Sequence, residues 1–160
     1  MTVYVSATDT AKLVKRTLKA QFPDTKFSVR TLKYAGGATV DVEWVHGPTT
    51  PAVDAIVKDF EGTAPDATGD FSDPITHTKD GQQIHYGARH IHTRRMITRA
   101  TYESIQNEVI ASLNIGLLHS QRIFPVPSLV LKEVPHFPAA QGDVHEFIRA
   151  LAENRAELPD

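Results

Sequence analysis

Arg89-His90-Ile91-His92 is the segment whose residue types most directly suggest chemistry. On a strand His90 and His92 point to one face, because side chains alternate with a period of two. Neutral imidazole is a common metal ligand, so the two rings could share one divalent cation. A third ligand could come from Glu43, Asp41 or His46. Tyr102, on a helix expected to follow, could then attack a metal-polarised phosphodiester and form a tyrosyl intermediate. Tyr102 stands ten residues after His92 and is followed by Glu103, Ser104 and Ile105, so no lysine assists it there.

The other candidates are simpler. Asp41 and Glu43 alternate on one strand face, as metal-binding acids of nucleases do, but Val45 stands where those enzymes carry a lysine. That favours a solvated hairpin face. Gly36-Gly37 is not followed by a helix opening with Lys-Ser or Lys-Thr, so it reads as a turn and not as a phosphate loop. No serine or threonine sits in a nucleophile motif, and the absence of cysteine excludes thiol chemistry. Two cationic sets could contact phosphates: Lys12, Lys15, Arg16 and Lys19 along one helix face, and Arg89, Arg94, Arg95 and Arg99. Tyr34 and Trp44 are possible binding aromatics, although Trp44 alternates with valines and reads as core.

These residues sit on a chain of 160 residues with 41% hydrophobic and 22% charged residues, an ordinary globular composition. That length suits one domain. No run approaches the roughly 18 apolar residues that span a bilayer. Met1 to Lys12 carries no secretion pattern, and without cysteine a cytoplasmic setting in a host cell is expected. The net charge of −2 is unevenly distributed. Residues 1–33 hold seven cations against Asp9 and Asp24, residues 34–82 hold nine acids against two lysines, and residues 83–99 hold four arginines and no acid. Local basic patches on a mildly acidic body follow, not a uniformly basic nucleic-acid binder.

The elements that must position the candidates are legible in pattern. Thr2 to Val5 predicts a short edge strand. Ser6 or Thr8 can cap a helix in which Ala11, Val14, Leu18 and Phe22 keep helical spacing, ended by Pro23-Asp24. Lys26 to Leu32 and Thr39 to Trp44 alternate around a Tyr34–Ala38 turn, a hairpin that sets Lys26 and Arg30 against Asp41 and Glu43. Thr50 suits an N-cap and Pro51 the first helical position of a helix carrying Val53, Ile56, Val57 and Phe60. Residues 62–82 read as a long functional or mobile loop. Asp80-Gly81 turns the chain into a strand region, Gln83 to Ile97, interrupted at Gly87. Thr98 caps a helix with Tyr102, Ile105, Val109 and Leu113, closed by Gly116. Pro125-Val126-Pro127 forces extended chain, Ser128 to Val134 is a strand, Pro135 to Pro138 breaks it, and Asp143 opens a last helix with Val144, Phe147, Ile148 and Leu151.

Several of these stretches together are similar to a known family. Lys26-Phe-Ser-Val-Arg30, Tyr34-Ala-Gly-Gly-Ala-Thr-Val-Asp-Val-Glu-Trp44, Gly47-Pro-Thr49 and Ile56-Val-Lys-Asp-Phe-Glu-Gly62 resemble one of the large polyvalent protein-associated domains. Tyr86-Gly-Ala88 through Arg94-Arg95 extends the resemblance, which covers roughly residues 3–96. Such domains occur in phages and conjugative elements, so the resemblance implies a mobile-element origin and a compact domain, with no particular reaction. The His-x-His pair separately resembles the metal motif of rolling-circle nickases.

The sequence therefore predicts an α+β fold: a mainly antiparallel sheet with helices packed on one face, in the order (β)αββα-loop-ββα-β-α. One domain, 1–160, is expected, with 3–96 as the family-like core and 97–160 as a C-terminal extension of it. The expected role is a phage or mobile-element accessory domain that binds a host or element macromolecule, a host defence protein or nucleic acid, without a cofactor or a membrane. The alternative is a metal-dependent DNA-processing enzyme using His90, His92 and Tyr102.

Overall fold

A computed structural model describes residues 1–113 and 144–159. They form two compact units: Met1–Pro48 with Ala52–Arg94, and Thr49–Pro51 with Arg95–Asp160. The expected Gly116 stop, the Pro125–Pro127 segment, the 128–134 strand with its break, and the Asp143 start lie outside the described residues.

The first unit opens with β1 (Thr2–Val5) and α1 (Ala7–Gln21). Ser6 is the N-cap. Its Oγ accepts the Asp9 amide at 3.2 Å and donates to Asp9 Oδ2 at 2.7 Å. The Ser6 hydroxyl, and then Lys12, hold the Asp9 carboxyl below its ordinary value. Ala7, Thr10, Ala11, Val14 and Leu18 form the buried stripe of α1. It packs on the hairpin of β2 (Ser28–Tyr34) and β3 (Gly37–Val45). Their register sets Arg30 opposite Asp41 and Tyr34 opposite Gly37, with Gly36 at φ 96° in the turn. Val40, Val42 and Trp44 are buried on alternate positions, as the pattern predicts. Trp44 lies 5.6 Å from Phe27, ring to ring, and its Nε1 donates to Pro48 O at 2.9 Å. Trp44 is thus core, not a binding aromatic.

The helix α2 (Thr50–Val57) buries Val53 and Val57. Thr50 does not make the expected cap: the helix begins at Thr50, whose hydroxyl is buried without a hydrogen-bond partner among the described residues. A 3-10 turn, Lys58–Phe60, follows.

Residues 62–82 are not one open loop. They contain β4 (Thr63–Pro65), β5 (Ser72–Pro74) and β6 (His77–Lys79). β4 and β5 form a two-stranded hairpin. Asp66 organises its loop, its Oδ1 accepting the Thr68 hydroxyl at 2.8 Å and the Gly69 amide at 2.7 Å. The bond from Thr68 above all holds the Asp66 carboxyl below its ordinary value. β6 and β7 (Gln82–Tyr86) pair antiparallel about the expected Asp80-Gly81 turn, and β1 adds to β7 in parallel as the edge strand.

β8 (His90–Met96) joins the other sheet, in the order β2-β3-β8. At one end the Arg89 amide donates to Ala38 O at 2.8 Å, and at the other Arg94 lies 3.7 Å from Glu43. The two strands therefore run in the same direction. The class is α+β and rich in antiparallel pairs, but the strands among the described residues form three small sheets where one was expected. The reason is local: residues 87–89 are held by Val5 O and Ala38 O, so β7 and β8 are drawn to different neighbours.

The second unit contains α3 (Arg99–Leu113) and α4 (Val144–Asn154). Thr98 caps α3, its Oγ1 accepting the Thr101 amide at 3.3 Å. Ile105 and Val109 pack with Phe147, Ile148, Leu151 and Ala152. Arg155 forks onto Glu108, 2.8 Å to each carboxylate oxygen, and this holds Glu108 below its ordinary carboxyl value against the opposing effect of burial.

Candidate functional site

Two of the α1 cations, Lys15 and Lys19, line a groove. α1 ends at Phe22, whose amide bonds to Leu18 O at 2.8 Å, and the Thr25 amide bonds back to Phe22 O at 3.1 Å. This reversal across Pro23 brings Lys26 alongside the last turns of the helix. A groove of about 320 Å³ results, lined by Lys15, Lys19, Pro23, Asp24, Thr25, Lys26 and Phe27. Among the described residues Lys15, Arg16, Lys19 and Lys26 form no ion pair. Lys12 differs, reaching Asp9 at 2.9 Å. The groove thus sets three lysines against one carboxylate, an excess of positive charge that attracts an anion. Sequence reading missed Lys26, because alternation placed it on the hairpin face. The signal that could have found it is Pro23-Asp24, which must fold the chain back along α1.

The arginine segment does not form a free cationic patch. Arg89 lies over Gly37 and donates from Nη1 to Gly36 O at 3.3 Å. Arg94 faces Glu43. Arg95 is only 7% exposed and donates to Ala152 O at 2.7 Å and Arg155 O at 2.6 Å, closing the end of α4. Burial pushes its pKa below the ordinary guanidinium value. Arg99 pairs with Glu103 at 2.8 Å, and that hydrogen bond raises the arginine's pKa. Remote partners thus engage three of the four: Glu43 takes Arg94, and backbone carbonyls take Arg89 and Arg95. Arg95 is therefore corrected from a surface contact to a buried capping group.

His90 and His92 do share a face of β8, with ring centroids 6.4 Å apart. Arg94 lies on that face too and touches Glu43, so Asp41 and Glu43 share it. Among the described residues no three His, Asp or Glu side chains form a group that could hold a metal ion. His46 adopts a positive φ of 55° at the end of the hairpin. Tyr102 packs, half-buried, against the α3–α4 core. Tyr34 is exposed near the hairpin tip.

A second depression, about 370 Å³, lies between α2 and β8 and is lined by Asp54, Val57, Lys58, Glu61, Ile91, His92 and Thr93. Its carboxylates are engaged by β8: Thr93 donates to Asp54 at 2.5 Å, and the Ile91 amide donates to Glu61 Oε1 at 2.8 Å. Lys58 and Glu61 fall within the family-like Ile56–Gly62 stretch, and the i, i+4, i+7 spacing of Asp54, Lys58 and Glu61 opposite Val53, Val57 and Phe60 marks them as one stripe.

Over this geometry lies a family match. The family described as Large polyvalent protein associated domain 29 matches residues 5–99. The chain belongs to that family. No curated protein and no solved structure matches it. The polyvalent protein associated domain 29 segment takes in nearly all of the first unit, from the last residue of β1 through β8, and stops at the first residue of α3. Both depressions and the histidine pair lie within it. Among the described residues no helix is long and apolar enough to cross a membrane.

Proposed function

We propose that this chain is an accessory domain of a phage or conjugative element that acts by binding an anionic macromolecule of the host or the element. The observation that carries this reading is the groove of Lys15, Lys19 and Lys26, which meets no ion-pair partner among the described residues. Unlike the arginines, these lysines are not used by the fold. Pro23 and Phe27 line the groove beside the lysines, and lysine stems can cover apolar surface while the ammonium stays in water. Such a surface attracts phosphate or carboxylate groups by charge.

Nucleic acid and an acidic face of a host defence protein are the two partners of this chemistry. A pull-down from host lysate with the full chain, with and without nuclease, separates them. Capture is expected, and Lys15→Glu, Lys19→Glu and Lys26→Glu together are expected to reduce it at least about tenfold. Loss of three attractive contacts of roughly 0.5 kcal/mol each already gives that factor, before repulsion is added. Undiminished capture by the triple variant, with native circular dichroism, would contradict the reading.

A further inference from the structure

Four histidines of the first unit are placed in two different ways. His77 and His85 serve the fold: His77 Nε2 lies 2.7 Å from Glu61 O, and His85 Nδ1 lies 2.9 Å from Ile75 O. A carbonyl only accepts, so each of those nitrogens carries the hydrogen. His85 also stacks on Tyr4 at 5.9 Å, and the His77 ring lies tilted against Tyr86 at 5.4 Å. His90 and His92 have no such employment. Their described contact is with each other, ring centroids 6.4 Å apart at an interplanar angle of 37°. Both lie on the same face of β8, His90 half-buried and His92 exposed.

We propose that His90 and His92 form a two-histidine chelate for a late first-row divalent cation of the Zn²⁺, Ni²⁺ or Cu²⁺ class. Imidazole suits these ions, whereas Mg²⁺ and Ca²⁺ demand oxygen donors. The geometry is close to what such an ion needs. With each nitrogen about 2.0–2.1 Å from a tetrahedral metal, the two ring centroids stand about 5 Å apart. Closing from the observed separation requires side-chain rotation of about 1 Å, and a strand face open to solvent permits it. The main chain need not move, because β8 is fixed by its neighbour β3 and by the bond of the Ile91 amide to Glu61.

Two protein donors leave two of four tetrahedral positions open. Water fills them in the isolated chain, and a donor atom from a bound partner can replace it. The site is therefore of the exchangeable kind, unlike a closed four-ligand structural site. It does not depend on the lysine groove, which is built from other elements.

Calorimetric titration of the full chain with ZnCl₂ or NiCl₂ at pH 7.5 tests the assignment, with MgCl₂ as the contrast. One equivalent of Zn²⁺ or Ni²⁺ is expected to bind, with no heat from Mg²⁺. His90→Ala and His92→Ala are each expected to weaken binding at least tenfold. These side chains do not support the core, so circular dichroism of the variants should match the native chain. Absence of Zn²⁺ and Ni²⁺ binding, or undiminished binding in the double variant, would overturn the proposal.

Discussion

Replacing Gly62 by alanine is expected to remove a large share of the first unit's stability. A Cβ at this position would stand 1.9 Å from Tyr86 O, 3.1 Å from Tyr86 C and 3.2 Å from Ala88 O. All three are backbone atoms, so no side chain can swing aside. The glycine also joins three segments: its amide donates to Ala88 O at 2.7 Å, and its carbonyl accepts the Ile75 amide at 2.9 Å. Moving the chain to admit a methyl group breaks those bonds, each contributing about 1 kcal/mol. Overpacking adds about 1–3 kcal/mol. The sum, about 3–5 kcal/mol, compares with a total of roughly 5–15 kcal/mol for a typical domain. Urea unfolding followed by Trp44 fluorescence measures it, since Trp44 is buried in this unit. A transition midpoint equal to that of the native chain would show that Gly62 is not pinned as described.

The second large effect is expected at Arg95. Arg95→Ala removes two hydrogen bonds from a charged donor to the carbonyls of Ala152 and Arg155 at the end of α4. Bonds to charged groups contribute roughly 1.5–3 kcal/mol each, so a loss of about 3 kcal/mol or more is expected. Arg95→Lys restores a charge but not the planar fork, and should recover only part. Arg99→Ala is the internal control. Its pair with Glu103 is exposed, and such helix pairs contribute about 0.3–0.5 kcal/mol. Hydrogen exchange at the α4 amides should rise sharply in Arg95→Ala and stay near native in Arg99→Ala. Equal behaviour of the two variants would return Arg95 to the surface role that its sequence neighbourhood suggests.

Much of the first unit is legible in the sequence, because its signals are local. Ser6 and the Ala11, Val14, Leu18 stripe define α1, and alternation around Gly36 defines the β2–β3 hairpin. The 62–82 segment is not legible. Its strands are three residues long, too short for alternation, and they are held from afar. Thr63 Oγ1 donates to Arg89 O at 2.8 Å, and Lys79 Nζ sits 4.1 Å from the centre of the Phe60 ring. The arginine segment misleads for the same reason, since Glu43 and the α4 carbonyls that engage it are remote in the chain. Thr50 has the composition of a cap, yet the helix begins one residue too early for it to act as one. The α1 lysine face was visible in the sequence, but the groove was not, because Lys26 joins it only after the Pro23 reversal.

The groove can be interrogated in place. Asp24 lies exposed on its lining and is its one acid, so a photo-crosslinking amino acid at Asp24 tests the groove while leaving all three lysines intact. The same amino acid at Asp70, exposed in the β4–β5 loop, serves as the comparison. Irradiation of host cells expressing each full-length variant is expected to give a macromolecular adduct at position 24 that is absent at position 70. Adducts at neither position, or equally at both, would contradict a binding role for the lysine groove.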